Sequence, residues 1–217
     1  MNDIESSICF SNISCFADDT RISKSISQAE DQHLLQEDLN QVMRWTERNN
    51  MALHEDKFIY LNFHSSKLRP LLEFPFQSQF LEYSTSDSNS LLPTDVTKDL
   101  GIHISSDLSW NPHVMQLVKK ANSKTGWSLS VFHDRSPHVM KTLYKSVVRS
   151  NLEYACPLWS SLSIGDAMSL EAVQQRFTSR IHFNSVTQLN YWERLYQSFI
   201  APIKKQGLFS FFVECLV

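Results

Sequence analysis

Glycine is nearly missing: Gly101, Gly126, Gly165 and Gly207 are the only four in 217 residues. A phosphate-cradling loop of the Walker or dinucleotide type needs several glycines in one short stretch, so neither class can be assembled. Cysteine is equally sparse. Cys9, Cys15, Cys156 and Cys215 form no Cys-x-x-Cys pair and are too scattered for a disulfide framework, which points to a reducing compartment. No apolar run approaches the roughly 20 residues that a membrane span needs. The first residues, Met-Asn-Asp-Ile-Glu, are acidic where a signal peptide is basic and then apolar. The expectation is a protein of cytosol or nucleus, neither secreted nor partnered with a membrane. Internal repeats and low-complexity tracts are absent as well.

What is present suits a folded chain. With 42% hydrophobic and 12% aromatic residues, it can bury a core as one large domain or two small ones. The net charge of −3 conceals a gradient. Residues 1–65 hold 5 Lys/Arg against 11 Asp/Glu, residues 66–110 hold 3 against 6, and residues 111–217 hold 12 against 6. An acidic first part suits cations and a basic second half suits polyanions, although solvated helix faces can differ in charge by chance.

Hydrophobic spacing divides the chain further. From Ile13, two short part-alternating runs meet at Asp18-Asp19, the pattern of a tight hairpin with acids at its tip. Leu34, Leu35, Leu39, Val42 and Met43 then recur at helical spacing after Ser27, and Asn49-Asn50 supplies a C-cap. Lys57 to Phe63 is rich in β-formers and reads as a strand. Residues 64–97 carry no sustained period and read as a loop region holding a domain boundary. Asp99-Leu-Gly-Ile-His-Ile reads as one more strand. From Asn111-Pro112, Val114, Leu117, Val118, Ala121, Thr125, Leu129 and Phe132 share a helix face. Ser136-Pro137 opens a second helix bearing Met140, Leu143, Tyr144 and Val147. A third fits Leu170, Val173, Phe177 and Ile181, and shorter helices follow from Asn190, interrupted near Pro202.

Acidic pairs also occur at Glu30-Asp31, Glu37-Asp38 and Glu55-Asp56, so adjacency alone says little. Asp18-Asp19 differs in its setting: an aromatic and a small residue precede it, and β-type runs hold it on both sides. Two carboxylates on a rigid turn can help hold a pair of Mg²⁺ ions about 3.5–4 Å apart, the arrangement that activates a hydroxyl and stabilises a leaving pyrophosphate. Mg²⁺ takes near-octahedral oxygen coordination, so such a site needs a further carboxylate. Other candidates are weaker. His113, His133 and His138 make no metal-ligand spacing with a cysteine. Ser136 and Ser146 lack a nucleophile-elbow context, and Trp110, Trp127, Trp159 and Trp192 suit helix packing better than base stacking.

A series of short segments in consistent order resembles the reverse transcriptases of non-LTR (LINE-type, jockey-like) retrotransposons. Asn2-Asp3-Ile4 looks like the end of the segment before the catalytic hairpin, and Phe16-Ala17-Asp18-Asp19-Thr20 is similar to the family's Phe/Tyr-Ala-Asp-Asp signature. Leu35-Gln36-Glu37-Asp38-Leu39-Asn40 with Trp45, then Asn50-Met51-Ala52-Leu53 leading to Lys57, resemble the helix and strand that close the palm. Lys98-Asp99-Leu100-Gly101-Ile102, Asp107-Leu108-Ser109-Trp110 and His113 look like the entry to the thumb. The resemblance continues through Leu143-Tyr144-Lys145-Ser146, Leu152-Glu153-Tyr154 and Trp159. It ends with Leu170-Glu171-x-Val173-Gln174-Gln175-Arg176 and Tyr191-x-Glu193-Arg194-Leu195.

The resemblance implies an α+β fold: a partial polymerase palm of antiparallel hairpin, helix and strand, followed by a mostly α-helical thumb-like region. Its parts would be the C-terminal palm at 1–65, a variable loop and β connection at 66–110, and the helical region at 111–217. It casts Asp18 as a metal ligand with Asp19 in support, binding Mg²⁺, and places Phe16 and Ala17 near the primer end. Lys57 falls where the family often has a lysine close to the phosphates of the incoming dNTP, with a strand-edge role as the other reading. Lys119, Lys120, Lys124, Lys141, Lys145 and Arg149 would grip the backbones of an RNA template and DNA primer. In that family the strand bearing the other catalytic aspartate precedes the Asn-Asp-Ile segment, and the basic segment expected near the C-terminus is replaced by Leu208-Phe-Ser-Phe-Phe-Val. The expectation is therefore a reverse transcriptase fragment that does not polymerise by itself. The alternative is a non-catalytic nucleic-acid-binding module built on the basic half.

Overall fold

The computed structural model describes residues 4–51, 53–54, 57–63, 82–85, 90–159, 161–183, 188–198, 200 and 203. They form a mixed α+β structure that divides into two units, Met1–Thr97 and Lys98–Val217.

The first unit is organised by one helix, α1 (Ala29–Arg48). Its start is fixed by Asp31, whose carboxylate accepts from the Ser27 and Gln28 backbone N–H groups at 2.9 and 3.0 Å. Those donors have no partner within the helix, and a carboxylate in the first turn also complements the helix dipole. At the far end Asn50 turns left-handed (φ 51°). The Asn50 N–H then reaches the Glu47 carbonyl and the Met51 N–H the Thr46 carbonyl, which closes a Schellman motif. Asparagine tolerates that conformation better than most residues, so Asn49-Asn50 ends the helix where the pattern placed it.

Two strands, β1 (Asn12–Phe16) and β2 (Asp19–Ser23), pair antiparallel with Phe16 opposite Asp19 and Ile13 opposite Ile22. Strand alternation sends Ile13 and Ile22 to one face, where they pack with Ile8 against Ile4, Val42 and Trp45. A bidentate clasp joins α1 to a short hairpin, β3 (Tyr83–Ser84) and β4 (Ser90–Leu91). The Gln36 amide donates to the Ser84 carbonyl and accepts from the Ser84 N–H, at 2.9 and 3.0 Å. The strand expected over 57–63 is reduced to one parallel bridge between Tyr60 and Pro93. Pro93 has no N–H to extend a ladder, and the Thr94 N–H supplies the bond to Tyr60 instead.

Among the described residues, the regular structure of the second unit is helical apart from its opening hairpin. Strand β5 (Val96–Asp99) spans the division and leads through Leu100-Gly101 into β6 (Ile102–Ser105). The sequence reading took Asp99 to Ile104 as one strand. The chain instead reverses there, with positive φ at Leu100 (45°) and Gly101 (85°), as a two-residue type I′ turn requires.

Helix α2 (Asn111–Val131) follows, then α3 (Pro137–Leu143), which widens into a π-helical turn over Tyr144–Arg149 and ends as α4 (Ser150–Leu152). Helices α5 (Ile164–Thr178) and α6 (Tyr191–Ser198) follow. Val114, Leu117 and Ala121 of α2, Met140, Leu143, Tyr144, Val148 and Leu152 of the α3–α4 run, and Leu170, Val173 and Phe177 of α5 form one core. The expected stripes are buried there, with two corrections. Phe132 caps α2 and stays partly exposed, and Trp127 and Trp192, expected in helix packing, are more than half exposed. The interruption expected near Pro202 lies outside the described residues. No described helix is long and apolar enough to cross a membrane.

Candidate functional site

The Asp18-Asp19 pair sits at the tip of the β1–β2 hairpin. Ala17 and Asp18 form the two-residue turn, and Asp19 is the first residue of β2. Ala17 takes φ 53°, a left-handed conformation that costs an L-residue with a Cβ roughly 1 kcal/mol. Asp19, Phe16, Arg21 and Ser14 share the face turned away from Ile13 and Ile22. Asp18 and Asp19 are exposed, and so is Phe16 at 63%. On the other face, toward the tip, Cys15 and Thr20 are also exposed. The hairpin is thus packed at its base and uncovered at its acidic end.

Four polar contacts hold that base. Asp38 of α1, 1% exposed, accepts from the Cys9 and Phe10 backbone N–H groups, both at 3.0 Å. Lys24, just past β2, donates to the Phe10 carbonyl at 3.0 Å and lies 3.7 Å from Asp31. The backbone N–H groups of Ser27 and Gln28, helped by Lys24, hold the Asp31 carboxyl below its ordinary pKa. Asp38 therefore orients the chain entering β1, and Lys24 ties that same segment to the start of α1. Sequence reading missed Asp38 as a positioning residue. Its partners lie 28 and 29 positions away, beyond any local pattern.

As ligands, Asp18 and Asp19 suit Mg²⁺ in donor type, since both present hard carboxylate oxygens to solvent. In number they fall short, because the described residues contain no group of three or more His, Cys, Asp or Glu placed to hold one ion. Lys57 is exposed, its N–H bonded to the His54 carbonyl at 2.9 Å.

The six basic residues expected to grip nucleic-acid backbone separate into three groups. Lys119, Lys120 and Lys124 are exposed on α2. Lys120 and Lys124 stand one turn apart on the same flank, with Lys119 about 100° round the helix from Lys120. Lys141 and Lys145, joined by His138, Thr142 and Ser146, line an open concavity of about 490 Å³. Arg149 stands apart from both. It is 7% exposed and its Nε lies 2.6 Å from Glu153 Oε1, so its guanidinium serves the fold and does not face solvent with the lysines.

A second cluster went unread as a unit. His113 of α2 is 1% exposed, ringed by Trp110, Trp159 and His103. The His103 backbone N–H donates to His113 Nδ1 at 3.3 Å, which fastens β6 to α2. Burial, with the His103 imidazole nearby, lowers the His113 pKa. Nearby, the Tyr154 hydroxyl donates to the Leu100 carbonyl at 2.9 Å across the β5–β6 turn. Each of these contacts joins segments that the sequence presents as separate short matches.

No protein-family model, curated protein or solved structure matches the chain.

Proposed function

We propose that this chain is of reverse-transcriptase type and LINE-element ancestry, and that these 217 residues bind nucleic-acid backbone and do not polymerise by themselves. The first unit stands for the C-terminal part of a palm, and the second for a thumb-like helical region that meets an RNA template and DNA primer. The observation that carries the reading is the exposed Phe16-Ala17-Asp18-Asp19 turn on a hairpin pinned to α1 by Ile13, Ile22 and Asp38. A solvated helix face would leave two carboxylates mobile; a two-residue β-turn packed at its base fixes where they point. With two protein carboxylates and the remaining positions left to water, Mg²⁺ would bind weakly, and in-line geometry for a dNTP would not be set.

The test is primer extension by the purified 217-residue chain on an RNA template with a DNA primer and dNTPs, in Mg²⁺ and then in Mn²⁺. The expected yield equals that of Asp18→Ala. Extension by the wild type that disappears in Asp18→Ala would overturn the non-catalytic part of the reading.

The second reading is a nucleic-acid-binding module with no polymerase role. The exposed lysines of α2, with Lys141 and Lys145 one turn apart on the next helical run, favour it. Its signature is an affinity for RNA–DNA duplex that falls steeply with salt, since neutralised phosphates release counterions. A slope near zero counts against phosphate-dominated binding in either reading.

A further inference from the structure

The exposed side of α2 carries an aromatic ring among its charges. The 21 residues of the helix include Lys119, Lys120 and Lys124 and no aspartate or glutamate. At about 100° per residue, Lys120, Lys124 and Trp127 fall within about 60° of arc, and the step from Lys120 to Trp127 covers about 10 Å along the axis. All three are exposed, Trp127 at 53%. The indole meets Phe132 edge to face, ring centroids 6.2 Å apart, which steadies the ring and leaves it in solvent. Beside it the helix surface is bare at Gly126, where an added Cβ would meet no atom within 4 Å. A second helix adds a cation. Exposed Arg176 of α5 donates from Nη1 to Asn122 Oδ1 at 2.9 Å. Asn122 is one turn from Lys119 on the same flank, and Lys119 stands between it and the row that ends at Trp127.

We infer that this α2–α5 surface binds single-stranded nucleic acid, with the three lysines and Arg176 taking phosphates of the strand and Trp127 stacking on one of its unpaired bases. Every base has a π-face, so an indole contact is indifferent to sequence. In a duplex those faces are already stacked on each other, so Trp127 selects a single strand or an overhang over paired segments. Arg176 has one N–H committed to Asn122 and keeps the others for phosphate. A bilayer is a poorer match, because an interfacial helix inserts its apolar face, and Val114, Leu117 and Ala121 of α2 lie in the core. A second copy of the chain is a poorer match too, since a two-fold contact would set these lysines against themselves. The inference rests on the nucleic-acid reading above and deepens it: it names a single strand as the partner and adds Trp127 and Arg176 to the residues that meet it.

The test follows anisotropy of a labelled oligothymidylate and of an abasic strand of equal length, each across a salt series. It compares the wild-type chain with Trp127→Ala, Trp127→Phe and Lys120→Gln/Lys124→Gln. Trp127→Ala should weaken binding to oligothymidylate about tenfold at an unchanged salt slope and leave the abasic strand unaffected. Trp127→Phe should keep most of the affinity. Trp127→Leu keeps bulk against Phe132 without a π-face and gives the same comparison should the alanine variant fold poorly. The lysine pair should make the log–log salt slope shallower by about 1.4 on both strands. An equal loss on the two strands in Trp127→Ala and Trp127→Leu, or no loss on either, overturns the inference, and salt-sensitive binding by the wild type leaves the nucleic-acid reading standing. A wild type without salt-sensitive binding to either strand overturns both. Binding to phosphatidylserine vesicles, or a dimer, that Trp127→Ala abolishes while oligothymidylate binding stays intact assigns the surface to that partner and overturns the inference.

Discussion

At the scale of single residues, the sequence announces what is local and hides what is distant. Ala17 is visible as part of a four-residue signature, yet its left-handed φ is a cost that only the turn geometry reveals. Ala17→Gly should remove that strain and stabilise the first unit by up to about 1 kcal/mol in urea unfolding, a gain reduced by glycine's greater freedom in the unfolded chain. Asp38 is the opposite case. It sits in Glu37-Asp38, which looks like one more solvated acidic pair, but its carboxylate is the buried acceptor for two backbone N–H groups. Asp38→Ala should cost about 2 kcal/mol or more, and hydrogen exchange at the Cys9 and Phe10 amides should accelerate. Gly101 is held by its φ of 85° and by Tyr154, whose Cε1 would stand 3.3 Å from an added Cβ. Gly101→Ala should lower stability by more than about 1 kcal/mol, read by thermal unfolding.

At the scale of elements, the helices were legible because their periods and end signals agree. Ser136-Pro137 and Asn49-Asn50 mark boundaries through backbone chemistry that needs no tertiary context. The strands were less legible. Residues 57–63 have strand composition, but pairing depends on the partner, and Pro93 cannot sustain a ladder. Asp99 to Ile104 reads as continuous because Leu100 gives no warning of a turn; Gly101 alone signals it. Contacts between elements are the least visible layer. Tyr144 donates to Gln174 Oε1 at 2.5 Å, and Gln174 Nε2 donates to the Tyr191 hydroxyl at 3.1 Å, so the π-turn, α5 and α6 share a buried polar chain. Tyr144→Phe should remove the bond to the fully buried Gln174 and cost about 1 kcal/mol, read by urea unfolding. The β6–α2 junction responds to pH through His113. Its folded pKa is lowered from 6.5, so the unfolded chain takes up the proton first. Its contribution is complete above about pH 6.5 and is lost as pH falls below that value. The urea midpoint of the wild type should fall across that window more than that of His113→Gln.

For the whole molecule, the charge gradient corresponds to two kinds of surface. The first unit places two of its acids, Asp18 and Asp19, at a pinned hairpin tip, and the second carries exposed lysines on α2 and Lys141 and Lys145 on α3 and the turn after it. The α+β class and the order of elements could be read from pattern. Asp18→Ala should leave duplex affinity unchanged or slightly raised, since it removes a negative charge. The most direct measurement follows binding and extension together: one RNA–DNA primer–template, one preparation of the chain, anisotropy for affinity and a gel for product, in Mg²⁺ and Mn²⁺. The account predicts salt-sensitive binding with no added nucleotides. Primer extension that vanishes in Asp18→Ala, or an absence of binding at low salt, would contradict it.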